Sequence, residues 1–77
     1  MKFKAGDRVK IIKGWYFGAI GTVKGNSNEM KHLQPNCIAV EFDDYQGNGH
    51  SCGGLCKEDN GYWYNPYDLE HLNKEEV

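Results

Sequence analysis

One short segment of the chain carries most of the residue types that do metal or redox chemistry. Residues 49–57 read GHSCGGLCK and place His50, Cys52 and Cys56 within seven positions of one another. Imidazole and thiolate groups are ligands that Zn²⁺ prefers, and a closed zinc site takes four of them in a tetrahedron. The three residues are therefore a candidate metal site.

The sequence does not specify which residue would be the fourth ligand of such a site. Cys37 begins a predicted strand whose far end leads into this segment, so about six residues of extended chain, roughly 20 Å, separate the two. That separation argues against a closed site with Cys37 and leaves His32, Asp59 or water for the fourth position. A structural ion would contribute on the order of 10 kcal/mol to a chain this short.

The same cysteines have three other interpretations. A Cys52–Cys56 disulfide would close a short loop and contribute about 2 kcal/mol on the chain-entropy model. A catalytic thiol needs a base and an electropositive setting, whereas Glu58 and Asp59 make this neighbourhood acidic. Buried free cysteines also pack as small apolar side chains, with Leu55 anchoring the loop on the sheet. We favour this packed-loop interpretation and expect a protein without enzymatic activity or a cofactor. A zinc site is the main alternative.

Short strands are the elements that position this segment. Apolar residues alternate with polar ones at the two-residue period of a strand, and no helical period extends over ten residues. Gly21 indicates a bend or bulge in the second strand. The five segments are GDRVKIIK (6–13), GAIGTVKG (18–25), CIAVEFDD (37–44), GYWYN (61–65) and EHL (70–72).

This pattern predicts an all-β fold, a small five-stranded antiparallel barrel. A glycine-rich long loop over residues 44–60 joins the third and fourth strands, and the proline-led segment 66–69 predicts a 3₁₀ turn before the last strand. Closing the sheet into a ring would hide its edge strands. The predicted core consists of Val9, Ile11, Ile20, Val23, Ile38, Val40, Phe42 and Leu69.

Chain length and composition indicate one domain. The 77 residues, 39% hydrophobic and 13% aromatic, are too apolar for a disordered chain. We expect a single domain over residues 1–77, with its core at about 6–72 and a frayed tail at 73–77. No apolar run reaches the roughly 20 residues of a membrane span, and no signal-peptide stretch is present, so we expect a cytoplasmic protein without a membrane partner. An odd number of cysteines excludes a complete disulfide framework.

The order of the motifs resembles SH3-like small β-barrels of the KOW, Tudor and Mind-bomb/HERC2 type. GDRVKII, GAIGTVKG, IAVEFDD and WYNPYDLEHL are similar to that family's successive strands and closing turn. The resemblance spans roughly residues 6–72 and implies the fold and a binding role. The pattern from Gly49 to Trp63 is also similar to short bacterial and phage proteins of this barrel type, which implies a phage or mobile-element accessory protein. The longer third loop prevents transfer of the SH3 proline-peptide groove.

Aromatic side chains are more numerous than a barrel this small can bury. Exposed aromatic clusters favour recognition, so we expect a protein partner at this surface and a monomer or weak homodimer. The alternative, in which most of these rings cover the core beneath the loops, remains open. The predicted partner-binding residues are Trp15, Tyr16, Tyr45, Tyr62, Tyr64 and Tyr67.

Basic residues are concentrated at the start of the chain. Residues 1–24 carry six lysines and arginines against one carboxylate, although the whole chain has a net charge of -2 and a pI near 5.8. A basic stripe of this kind tracks phosphates in nucleic-acid modules, which are usually basic overall. Nucleic-acid binding is therefore the second functional hypothesis, with Lys4, Arg8, Lys10, Lys13 and Lys24 as its residues.

Overall fold

Alternating apolar residues form the strands of the computed structural model, which describes residues 3–26, 37–44, 49, 51–57 and 59–72. These residues confirm the all-β prediction, with a long connection between the third and fourth strands and a 3₁₀ turn before the last. The elements are β1 (Arg8–Ile11), β2 (Ile20–Asn26), β3 (Ile38–Phe42), η1 (Cys52–Gly54), β4 (Gly61–Tyr64), η2 (Pro66–Asp68) and β5 (Leu69–His71). The predicted tail, residues 73–77, lies outside the described residues.

The strands form one antiparallel sheet in the order β4-β3-β2-β1-β5. β1 pairs with both β2 and β5, and β3 pairs with both β2 and β4. The sheet is not closed, so the prediction of a closed ring is wrong: β4 and β5 are its two edges. Both edge strands are short, with four and three residues, which limits the unpaired backbone that each edge offers.

The main core lies on one face of the sheet. Val9 and Ile11 of β1 are fully buried there, as are Ile38 and Val40 of β3. The alternation that predicted these positions is confirmed. Phe3 and Tyr64 join the same cluster, and the ring of Phe3 stacks on His71 with 4.3 Å between the ring centroids.

Ile20 is the one predicted core residue that the structure places outside, with 38% of its surface exposed. Side chains alternate between the two faces of β2. Gly21 and Val23 face the core, so Ile20 faces outward. Gly21 sits tightly against β3: a Cβ there would lie 2.9 Å from Cγ1 of Val40 and closer still to the carbonyl oxygen of Glu41. The register shift expected near Gly21 occurs between Val23 and Gly25.

A second apolar cluster covers the opposite face of β3. Ala39 is fully buried there against Cys52 and Cys56, with Leu55 and Trp63 packed around them. β3 is therefore buried on both faces, as a central strand in a layered fold is. The packing places the segment 51–57 on the back of the sheet.

The end of the long connection is joined to β3 by hydrogen bonds. Asn60, which is 4% exposed, donates from Nδ2 to the carbonyl oxygen of Phe42 at 2.8 Å. In return, the amide of Phe42 donates to the carbonyl oxygen of Asn60 at 3.0 Å. The amide of Lys57 donates to Oε1 of Glu41 at 2.9 Å. Within the described part of the chain, no helix has the length and apolar character to cross a membrane.

Candidate functional site

The backbone conformation of the loop between β1 and β2 is fixed by residues with positive φ angles and by hydrogen bonds. Gly14, Tyr16 and Gly18 adopt φ angles of 88°, 62° and 93°. Glycine takes this left-handed conformation freely, but tyrosine does so only when its surroundings hold it there. The amide of Gly18 donates to the carbonyl oxygen of Ile11 at 2.8 Å, and that of Ala19 donates to Tyr16 at 2.9 Å. The loop is thereby fixed to the end of β1.

The side chain of Tyr16 turns inward and its two neighbours turn outward. The ring centroid of Tyr16 lies 4.9 Å from that of Phe42 and 5.9 Å from that of Tyr62, so the ring packs on the core. Trp15 is 70% exposed and Phe17 is 71% exposed. We call Trp15 and Phe17 the aromatic tip. Exposed aromatic side chains on a fixed backbone are characteristic of recognition surfaces.

The aromatic tip is supported from below by β4 and η2. The hydroxyl of Tyr64 donates to the carbonyl oxygen of Trp15 at 2.6 Å. Burial raises the pKa of Tyr64, so its hydroxyl remains a donor across the physiological range. The amide of Ile12 donates to the carbonyl oxygen of Asp68 in η2 at 2.8 Å. Two elements far along the sequence therefore hold the loop in place.

The structure places the other predicted aromatic residues in different environments. Tyr62 is half-buried beside Tyr16, whereas Tyr67 projects from η2 with 83% of its surface exposed. Tyr64 is only 3% exposed, so it supports the aromatic tip and is not part of the exposed surface. Tyr45 lies outside the described residues. Alternation in β4 directs Trp63 to the cysteine cluster and Tyr64 to the main core.

A shallow depression of about 280 Å³ lies next to the aromatic tip. Its lining begins one residue after Phe17 in the chain and includes Ile20, whose side chain is partly exposed. Two carboxylates, from Asp43 and Asp44, form part of its wall. The depression therefore combines an apolar surface with acidic groups, and its lining follows the aromatic tip directly in the chain.

One of these carboxylates is paired with Arg8. The guanidinium of Arg8 makes two hydrogen bonds to Asp43, of 2.7 and 2.6 Å, and a third to Oγ1 of Thr22 at 2.8 Å. The hydrogen bonds from Arg8 lower the pKa of the Asp43 carboxyl, and those to Asp43 raise the pKa of Arg8. These three hydrogen bonds use three of the five N–H donors of the guanidinium, so fewer donors remain for a phosphate.

The four lysines of the predicted basic stripe are exposed but belong to different segments. Lys10 lies on β1 opposite Glu70 of β5, and Lys24 lies on β2. Lys4 and Lys13 lie in the turns before and after β1. Lys10 lies two positions from Arg8 on β1, and Lys24 lies two positions after Thr22, the register partner of Arg8 on β2.

The cysteine-containing segment folds back over β3. The expected separation of about 20 Å from Cys37 is wrong, because the chain doubles back and places Cys52 and Cys56 on Ala39. Ala39 lies two positions from Cys37, a span of about 7 Å in a strand. This packing, with Leu55 beside the two thiols, matches the packed-loop interpretation.

The zinc set is only partly within the described residues. His50 and the alternative ligand His32 lie outside them, so the set of His50, Cys52 and Cys56 stays a prediction. In residues 3–26, 37–44, 49, 51–57 and 59–72, no three His, Cys, Asp or Glu side chains are grouped to hold a metal ion. Cys52 and Cys56 do not form a disulfide.

The two buried thiols interact with each other. A hydrogen bond between the side chains raises the pKa of Cys52 and lowers the pKa of Cys56. Burial raises the pKa of both thiols. At Cys56 the negative charge of Glu41 also raises the pKa, and the positive charge of Lys24 lowers it.

Two residues were not recognised from the sequence as part of this arrangement. Phe17 was not among the predicted partner-binding residues, although the glycines at 14 and 18 are a signal for a projecting loop. Asn60 gave no sequence signal, because its bond to Phe42 joins residues 18 positions apart.

Comparison with known proteins does not assign the chain to a family. No protein-family model matches it, and no curated protein matches it significantly.

Proposed function

We propose that this domain is a non-enzymatic binding module of the SH3-like barrel class, and that its aromatic tip docks a segment of another protein. The observation that carries the proposal is the exposure of Trp15 and Phe17, 70% and 71%, on a loop fixed by Tyr16 and Tyr64. Because the loop backbone is already ordered, a partner does not have to order it on binding.

The surroundings of the aromatic tip indicate the chemistry of the partner. The depression beside Phe17 offers the partly exposed Ile20 to an apolar side chain. Its wall carries the carboxylates of Asp43 and Asp44. Arg8 pairs with Asp43, so the formal charge of the three groups together is negative. An extended protein segment with apolar side chains and a nearby lysine or arginine fits this surface. The cation would also interact favourably with the face of Trp15.

Tyr67 extends the proposed surface on the side of η2. It is 83% exposed, and η2 is joined to the loop by the bond from Ile12 to Asp68. Tyr16 and Tyr62 form the half-buried floor beside the tip. The role of Tyr45, and the phage or mobile-element setting that the resemblance implies, remain predictions.

The experiment that tests the proposal uses a random peptide library. Peptides selected on the wild-type domain should share apolar residues and a basic residue, and the double variant Trp15→Ala/Phe17→Ala should bind them at least about thirtyfold more weakly. Lys4→Ala, an exposed change outside the tip, is the matched control and should bind normally. NMR spectra of each variant report that the fold is kept.

Two results would contradict the proposal. One is selection of peptides that the double variant binds as tightly as wild type. The other is binding to single-stranded DNA or RNA that weakens steeply with salt and is lost when Lys10 and Lys24 become alanine, since counterion release is the property of a phosphate-binding surface. The second result would establish the nucleic-acid hypothesis instead.

A further inference from the structure

The edge strand β5 turns part of its backbone away from the sheet. It pairs with β1 on one side, and its other side is an edge of the sheet. The amide of Leu72 donates to the carbonyl oxygen of Arg8 at 3.0 Å, so these residues are a hydrogen-bonded pair. Such pairs alternate along an antiparallel ladder. The register therefore places Glu70 in the next pair and leaves Leu69 and His71 facing the open side.

Three kinds of contact are available at this open side of β5. The amide of Leu69 is already used, because it donates to the carbonyl oxygen of Pro66 in η2. The carbonyl oxygen of Leu69, together with the amide and carbonyl of His71, faces outward, where the described part of the sheet has no further strand. Backbone groups exposed along a sheet edge pair with an added strand. The chemistry of this edge therefore fits an extended protein segment.

A second depression, of about 230 Å³, lies beside this edge. Its lining includes the buried side chains of Phe3 and Leu69 and the ring of Tyr67, which is 83% exposed. His71 also lines it and is held from two sides: its ring stacks on Phe3, and its Nε2 lies 3.1 Å from Oδ2 of Asp7. A segment that paired with β5 would therefore have an apolar depression for one of its side chains.

The charges around the second depression indicate the charge of its occupant. Among the described residues of the lining, Glu70 carries the one permanent charge, and its register partner Lys10 is not part of the lining. The depression beside the aromatic tip likewise carries the carboxylates of Asp43 and Asp44. Both depressions therefore complement a lysine or arginine. Tyr67 lines the second depression and also belongs to the proposed binding surface, so the two surfaces are continuous.

We propose that the partner segment continues past Tyr67 as an added strand on β5, with an apolar side chain in the second depression and a basic side chain beside Glu70. Main-chain hydrogen bonds to Leu69 and His71 supply affinity, and alternate side chains of the segment supply selectivity. This proposal rests on the proposed function in one respect: a single segment occupies both the aromatic tip and β5.

The test uses the isotope-labelled domain and a peptide selected from the random library on the wild-type domain. Exchange of the His71 amide, which faces the open edge, should slow at least about tenfold in the complex. The Glu70 amide faces β1 and is the internal control, with little change. Methylating one peptide amide at a time supplies the second readout. Methylation at the position that faces β5 should weaken binding at least about tenfold, whereas methylation of its two neighbours should not.

Glu70→Gln tests the basic side chain of the segment. Removing this exposed carboxylate should weaken binding of the selected peptide about threefold, and the effect should shrink as salt is raised. Asp59→Asn, the same kind of change at an exposed position in the long connection, is the matched control and should bind like wild type. Equal binding by the two variants would overturn the assignment of a basic residue beside Glu70.

Failure of strand addition and failure of the proposed function give different results. An unprotected His71 amide, with a methylation series that shows no alternation, overturns strand addition. If Trp15→Ala/Phe17→Ala has then still lost the peptide, the proposed function stands. Conversely, alternation and His71 protection with a peptide that this double variant binds as tightly as wild type would support strand addition. That result would contradict both the shared segment and the proposed function.

Discussion

Tyr64 donates its hydroxyl to the carbonyl oxygen of Trp15 at 2.6 Å, across 49 positions of sequence. The bond connects an edge strand to the loop that displays the aromatic tip. It also explains why a tyrosine predicted to lie on the binding surface is buried: its ring fills the core while its hydroxyl reaches the loop. The shape of the candidate surface therefore depends on a residue that a partner would not touch.

Tyr64→Phe tests this support. The change keeps the ring and removes the donor, so we expect unfolding free energy to fall by about 1 kcal/mol. Peptide binding at the aromatic tip should weaken as well, because the loop loses its attachment to β4. Urea denaturation measures the first effect. Tyr67→Phe, the same substitution at a tyrosine that is 83% exposed, should leave stability unchanged, and an equal loss in both variants would contradict the assignment.

Gly21→Ala tests the close approach of β2 to β3. The new methyl group would meet the carbonyl oxygen of Glu41 and Cγ1 of Val40. Because the obstacle includes backbone, we expect a loss of about 1–3 kcal/mol in thermal or urea unfolding. Gly14→Ala is the comparison: nothing lies within 4 Å of its Cβ, but its φ is 88°. It should lose only about 1 kcal/mol, from backbone strain. A smaller loss at Gly21 than at Gly14 would refute the steric explanation.

Asp43→Asn tests the pair with Arg8 through its pH dependence. The pKa of Asp43 is lowered in the folded state by hydrogen bonds from Arg8. The pair therefore stabilises the fold at pH values above the ordinary carboxyl range, and this contribution is lost as pH falls below about 4. Both side chains are 43% exposed, so we expect at most about 1 kcal/mol at neutral pH. Urea midpoints of wild type and variant should converge at low pH, and a constant difference would argue against the pair.

Asn60→Ala tests the attachment of the long connection to β3. The amide side chain is buried, and its loss leaves the carbonyl oxygen of Phe42 without that donor, so we expect a loss of about 1–3 kcal/mol. Hydrogen exchange at the Phe42 amide, which donates to the Asn60 carbonyl oxygen, should accelerate. Lys57→Ala, at an exposed position in the same connection, should change the rate little. Equal exchange rates in both variants would show that Asn60 is not an attachment point.

The predicted partner-binding residues of β4 and their neighbour Trp63 show what a sequence pattern can and cannot predict. Tyr62, Tyr64 and Trp63 alternate along β4 as the pattern predicted. The pattern did not give the burial of each residue, because burial depends on what covers each face of the strand. Trp63 is covered by the cysteine cluster, and Tyr64 lies beneath the β1–β2 loop. The β1–β2 loop is far from β4 in sequence, and the cysteine cluster is completed by Ala39 of β3.

Residue patterns along the chain predict the strands, their approximate ends and most of the core, because period-two alternation and turn residues are local properties. Long-range contacts are needed to show that the sheet stays open, that Ile20 faces outward, and that the cysteine segment folds back onto Ala39. The same contacts show that Trp15 and Phe17 project while Tyr16 and Tyr64 support them. These features arise from contacts between residues far apart in the chain, and local patterns do not encode such distances.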